Sequence, residues 1–242
     1  MHIKPLLPLL AAIGLFTAVN AQAVILIDNF GDNLRTTAIR GANQNNSVAL
    51  SPSNSVFDQR AQLALMSNPT QGDQAQIDVF NGSSSFDAIS SDSVLLRTTW
   101  SGVATGSIDF TGEDTLRFDI FGNSADIPNV TYSVKVFTDD GAGGSISAEK
   151  VLQPALGSSI IDLALFDNGW LDNSSNPVNL DWAAVIGIEL EAETLINQDA
   201  DFEVFFRSVS VVSTTSVPTP GSILLMSLGL VGVGAVKRRK RA

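Results

Sequence analysis

The chemistry open to this chain rests on carboxylates and tryptophans. All 25 Asp and Glu residues lie between Val24 and Ser216, where only eight Lys and Arg accompany them, so this body carries a net charge of −17. The single His of the chain is His2, and Cys is absent. A body with neither residue excludes a Ser-His-Asp triad, a thiol nucleophile, a thiolate or imidazole zinc site and a disulfide framework. Its acidity also excludes the electrostatic footprint that nucleic-acid phosphates require. Hydrolysis of a glycan would need two carboxyl groups in distinct protonation states. Glu113-Asp114 and Glu189, Glu191 and Glu193 are local candidates, but so many acids place some together by composition alone. The last three alternate, which puts them on one strand face and reads as a solvated face that discourages edge aggregation. Asp139-Asp140-Gly141-Ala-Gly-Gly144 offers the oxygen ligands calcium prefers, without the full ligand spacing of an EF-hand loop. The same residues are hairpin-turn chemistry, the reading we favour. Asp32, Asp167 and Asp172 are further oxygen donors. Trp100 and Trp182 end or precede alternating runs and read as core. Trp170, within the turn-rich Asp167-Asn-Gly-Trp-Leu-Asp-Asn173, is the ring best placed to stack on a sugar.

The elements that must position these groups are strands. Leu116, Phe118 and Ile120 alternate with Arg117 and Asp119, and Val130, Tyr132, Val134 and Val136 share one face. Strict alternation of this kind marks half-buried strands. Further strands are expected at Val24–Asp28, Val56–Leu65, Gln74–Phe80, Val94–Trp100, Ser145–Leu152, Ser159–Leu165, Val185–Glu191 and Phe202–Val212, with a short helical turn at Asp181–Val185. Turn clusters such as Asn81-Gly-Ser, Asp139-Asp-Gly and Asn173-Ser-Ser-Asn-Pro177 separate them. About ten strands with hardly any helical pattern predict an all-β fold, an antiparallel jelly-roll-like β-sandwich, as one domain over residues 24–212.

The two ends read differently. Residues 1–23 combine Lys4, an apolar Leu6–Val19 and the small-x-small Ala21-Gln22-Ala23, the pattern of a secretory signal that signal peptidase removes to leave Val24 first. Residues 213–220 are a Ser/Thr/Pro linker ending in Val217-Pro218-Thr219-Pro220. Residues 221–236 carry no charge and predict a transmembrane helix about 24 Å long. Lys237, Arg238, Arg239, Lys240 and Arg241 form, within residues 237–242, a basic tail that stays cytoplasmic by the positive-inside rule.

This C-terminal order of Pro-rich motif, short apolar helix and basic end resembles the PEP-CTERM sorting signal of Gram-negative bacteria, with Thr219 where that family usually has Glu. The resemblance implies transient membrane anchoring, processing by an exosortase-like enzyme and delivery to the cell surface or extracellular matrix. A permanent single-span anchor is the alternative. Trp100, Phe110-Thr-Gly112, Leu116–Phe121, Asn179-Leu-Asp-Trp182 and Phe202–Val209, with the opening Ile27-Asp-Asn-Phe30, resemble segments of galactose-binding-like jelly rolls and carbohydrate-binding modules. Arg207 stands where their closing strand often has Asp. That resemblance implies exopolysaccharide binding and a structural calcium. The expectation is an exported, non-catalytic surface or matrix protein; a carboxylate-based glycan hydrolase or lyase, or an anchored periplasmic domain, stands as the alternative.

Overall fold

A computed structural model describes residues 24–39, 43–53, 55–67, 69–90, 93–103, 106–125, 130–152, 160–194 and 200–213. Ala21 and Ala23 of the expected cleavage site, the expected sorting motif Val217–Pro220, the apolar segment after it and Lys237–Arg241 lie outside them. Val24–Val212 forms a compact unit.

Thirteen strands occur among the described residues: β1 (Val24–Asp28), β2 (Leu34–Ile39), β3 (Gln44–Ala49), β4 (Gln59–Met66), β5 (Gln74–Phe80), β6 (Ser83–Ser90), β7 (Val94–Ser101), β8 (Thr115–Ala125), β9 (Val130–Asp139), β10 (Ser145–Leu152), β11 (Ile160–Ala164), β12 (Val185–Thr194) and β13 (Ala200–Val212). They form two antiparallel sheets. The six-stranded sheet runs β10-β9-β12-β7-β4-β3; the seven-stranded sheet runs β11-β8-β13-β6-β5-β2, with β1 also on β13. The chain moves repeatedly from one sheet to the other, in the jelly-roll manner, so each sheet gathers strands distant in sequence.

Alternation does the sorting. Along β7, Val94, Leu96, Thr98 and Trp100 are buried while their neighbours are partly exposed. Phe86, Phe118 and Phe206 from the opposite sheet meet in edge-to-face pairs with centroids 5.4 and 6.3 Å apart. Full burial of each such side chain contributes roughly 1.5–3 kcal/mol, which is what holds the two sheets face to face.

Three strands escape the alternation argument: β2, β3 and β6. Ser83-Ser-Ser-Phe-Asp-Ala-Ile-Ser90 sets Ser83, Ser85, Asp87 and Ile89 on one side and only Phe86 as a large residue on the other, yet it pairs with β5 across a two-residue turn, Phe80 facing Ser83. Asn81 and Gly82 supply the turn with φ of 52° and 80°, the left-handed pair that fits strand twist. Asp181–Val185 opens with one turn, closed by Ala184 N–H donating to the Asp181 carbonyl at 2.9 Å.

Both open flanks of the sandwich are tied. On one, the Gln44 amide oxygen accepts from Thr37 N–H at 3.1 Å and the Asn46 amide donates to the Arg35 carbonyl at 2.8 Å, so side chains of β3 bridge to β2. On the other, Leu171 and Glu149 exchange backbone hydrogen bonds of 2.9 and 2.8 Å, capping the outer edge of β10 with the segment that follows β11.

One end of the interior is ionic. Arg60, fully buried on β4, donates to Asp28 at 2.7 Å and to Asp32 at 2.5 Å, and Trp100 Nε1 donates to the same Asp28 oxygen at 2.7 Å. Phe30 folds over this cluster with φ of 53°, its N–H bonded to Asp28 and its ring 5.5 Å from the guanidinium. One Asp32 oxygen is thus engaged by Arg60, while the other is buried without a hydrogen-bond partner.

Candidate functional site

The segment between β11 and β12 builds a hollow of its own. Its start is fixed where Leu165 N–H donates to the Asp114 carbonyl at 3.0 Å. Its middle is fixed by Leu171 on β10 and by Val178 N–H on the Trp170 carbonyl at 2.9 Å. Its end is fixed by Phe110 N–H on the Trp182 carbonyl at 2.7 Å. Two Asx turns shape it. Asp167 accepts from Gly169 N–H at 3.0 Å, and Asp172 accepts from Ser174 and Asn176 N–H at 2.8 and 2.9 Å.

Trp170 corrects the expectation of an exposed stacking ring. It is 1% exposed, its indole N–H donates to the Ala164 carbonyl at 3.1 Å, and it meets Trp182 edge-on at 5.4 Å. A large ring with a single polar handle packs inward when a carbonyl lies within reach of that handle. The ring presented to solvent is Phe166, 57% exposed and T-shaped against Trp182 at 6.0 Å. Trp170 and Trp182 thus form the buried floor and Phe166 the exposed ring of a groove of about 250 Å³, which Pro177 and Val178 also line, with the exposed Asn168 and Asn179 on its rim. Trp100 and Trp182 are buried as expected.

The one ion pair at the groove is internally neutralised. Lys150 Nζ donates to Asp167 at 2.5 Å and to the Ala164 carbonyl at 3.2 Å, and lies 5.5 Å from the Trp170 ring centroid. Burial pushes the Asp167 carboxyl upward, but the hydrogen bonds from Lys150 and Gly169 and the Lys150 charge outweigh it and hold the group below its ordinary value. Phe166 and Lys150 carry no sequence motif, and Asn168 and Asn179 lie inside segments of interest without standing out in them. The only signal was the cluster of aromatic and turn residues around Trp170.

A second hollow, about 80 Å³, lies on the outer face of the six-stranded sheet between Arg97, Ser133, Lys135, Glu149, Glu189 and Glu191. Arg97 donates twice to Glu191, at 2.9 and 2.7 Å, and lies 3.5 Å from Glu189. Burial lowers the Arg97 guanidinium's basicity, but Glu191, Glu189 and Glu193 raise it further, so it stays charged. Glu189, Glu191 and Glu193 do share one face, but the edge-protecting role read from them is corrected: β12 is paired on both sides, with β7 and β9. A glycosidase acid must be free to donate a proton. Glu191 is instead tied to Arg97 by two hydrogen bonds, and neither hollow is lined by Glu113 or Asp114.

Asp139 and Asp140 sit in the β9–β10 hairpin. Asp139 accepts from Gly141 N–H, and one Asp140 oxygen accepts from both Ala142 and Gly144 N–H, each at 2.8 Å. Those backbone donors hold the Asp140 carboxyl below its ordinary value. Among the described residues no three Asp, Glu or His side chains converge as a metal site. Asp32, Asp139, Asp140, Asp167 and Asp172 are each already bound to a cation or to backbone N–H. Among the described residues these carboxylates do not gather into the set of six to eight oxygens that calcium takes.

No family model and no curated protein matches this chain. Among solved structures, it is similar to the family 11 carbohydrate-binding module of the cellulosomal cellulase Lic26A-Cel5E of Clostridium thermocellum. The identity is 13% and the TM-score 0.42, over 80% of this chain and 96% of that one. The family 30 carbohydrate-binding module of the cellulosomal cellulase Cel9D-Cel44B of Clostridium thermocellum matches at 13% identity and a TM-score of 0.39, over 75% and 98%. The agarase AgWH50C matches at 15% identity and 0.36, over 64% of this chain and 23% of its own. Overlaps at this level say nothing of ligand or chemistry here.

Proposed function

We propose that this chain is an exported, non-catalytic glycan-binding protein, carried to the cell surface or its matrix by the C-terminal sorting signal. The observation that carries the reading is the groove of about 250 Å³ in which one solvent-facing ring, Phe166, stands over a tryptophan floor with two exposed amides on the rim. The apolar face of a sugar ring covers an aromatic surface, and its hydroxyls pair with groups that both donate and accept, as Asn does. Few precisely placed polar groups around an apolar lining are the general build of a small-ligand site. The exported body has no nucleic-acid footprint and works on the outer side of the membrane. Its processing partners would be signal peptidase and an exosortase-like enzyme.

The test is retention of Val24–Val212, which contains both sheets and the core, on the exopolysaccharide of the producing cell. Binding without release of sugar, unchanged by EDTA and reduced at least about tenfold in Phe166→Ala, is expected from loss of the stacking surface. Release of oligosaccharides would replace this reading with the hydrolase one. Failure to bind any glycan would remove it.

A further inference from the structure

The groove also constrains what kind of sugar it takes. We infer, resting on the glycan-binding reading, that it captures a single uncharged pyranose unit, a chain end or a one-sugar branch, and not a run of a polysaccharide chain.

Size is the first argument. At about 250 Å³ the groove falls below the roughly 300–1,000 Å³ of pockets that enclose drug-sized ligands. A single ring with its hydroxyls is the scale of ligand that such a hollow suits. The second argument is the number of stacking planes. Of the large apolar side chains that stand exposed, only Phe166 lines the groove. Trp170 and Trp182 lie beneath it at 1% and 7% exposure and offer no second platform for a neighbouring sugar. A site that follows a chain needs successive platforms, because each bound unit must replace its own hydration. The third argument is charge. The rim is built of neutral amides, Asn168 and Asn179, and the one charged side chain of the lining, Asp167, is paired with Lys150 at 2.5 Å. No unpaired cation of the groove lining is left to meet a uronic carboxylate. The surrounding body carries −17 between Val24 and Ser216 and repels polyanions at long range.

The experiment titrates Val24–Val212 with the methyl glycosides of glucose, galactose and mannose, with neutral tetrasaccharides of each, and with glucuronate. Tryptophan fluorescence is the readout, since Trp182 lines the groove. One neutral methyl glycoside should bind with a dissociation constant on the order of 1 mM, a fitting strength for so few atoms. The matching tetrasaccharide should bind within about twofold of it, because the added units touch nothing. Phe166→Ala, which removes an exposed ring and leaves the core intact, should abolish both. Glucuronate should bind at least about fivefold more weakly at low salt. A gain of tenfold or more from monosaccharide to tetrasaccharide, lost in Phe166→Ala, would overturn the single-unit inference and leave glycan binding standing. Glucuronate binding as tightly as the neutral sugars would overturn the neutral one. Binding untouched by Phe166→Ala would move the site elsewhere. No response to any sugar, together with no retention on exopolysaccharide, would remove the glycan reading itself.

Discussion

Several carboxyl groups sit in surroundings that move their protonation in opposite directions, and stability should record this. Glu113 is buried, with one carboxyl oxygen unpartnered; burial, and then the charge of Asp114, push it above its ordinary value. Its raised folded-state value means that its stabilising protonated form is fully present below the ordinary carboxylate value, about 4.3, and is lost as pH climbs through the raised one. At neutral pH the fold therefore carries a buried charge it would be better without. Glu113→Gln should raise the melting temperature by a few degrees at pH 7 and give no gain near pH 4. Asp172 runs the other way. Backbone N–H donors of Asn176 and Ser174 hold it low, so its contribution is present above the ordinary value and lost on acidification. Asp172→Asn should lower the melting temperature at pH 7 and converge with the parent near pH 2. Melting curves at three pH values check both, and parallel shifts at every pH would contradict the account. The Arg60 cluster shows what residue types alone conceal. Nothing in the sequence separates Arg60 from the other seven bases of the body, yet among the described residues it is the one fully buried between two carboxylates, one of which also accepts the Trp100 N–H.

At the scale of elements, the strands that sequence periodicity makes legible are those with large apolar residues at alternate positions. Val130, Tyr132, Val134 and Val136 all turn inward on β9, and Leu116, Phe118 and Ile120 on β8. The strands it conceals are those whose inward side chains are small or polar. β6 contributes Ser84 and Ala88 around the single Phe86, and β3 has no fully buried residue at all. β3 nonetheless has a task, because Gln44 and Asn46 hold the neighbouring edge of β2 by side-chain hydrogen bonds. Edge strands left bare are templates for pairing with another molecule. Gln44→Ala with Asn46→Ala should remove two bonds worth about 1 kcal/mol each or less, a small loss of stability. The larger effect should be slow association at high concentration, seen by light scattering. A double variant that scatters as the parent does would show that the amide bridge does not guard the edge. The groove was concealed for a related reason. Its parts come from one contiguous stretch of sequence, but which ring faces out is decided by the Ala164 carbonyl and by the β10 edge, so Trp170 was read as the platform where Phe166 is.

The whole chain is arranged by charge. A body of −17 lies between a short cationic start and five consecutive bases, Lys237–Arg241. Positive residues flanking an apolar span hold it with that flank inside, whereas acidic residues contribute little to orientation and do not hinder passage of a body already committed to export. On the proposed export reading, this pattern would set the sandwich outside and the tail inside, whether the span is kept or removed. The two fates differ in covalent mass. The sorted form should begin at Val24 and lack the basic tail, so intact mass spectrometry of protein released from the cell surface should find neither Met1–Ala23 nor Lys237–Arg241. Replacing the five bases with Gln should leave the body fold unchanged, since none of them lies within it, while stopping processing and accumulating a longer species in the membrane. A native protein that keeps Lys237–Arg241 would mark a permanent anchor. The groove would then serve to tether glycan to the membrane and not to a free matrix. A native protein that keeps Met1–Ala23 would contradict export by this signal and, with it, the placement of the groove on the outer side.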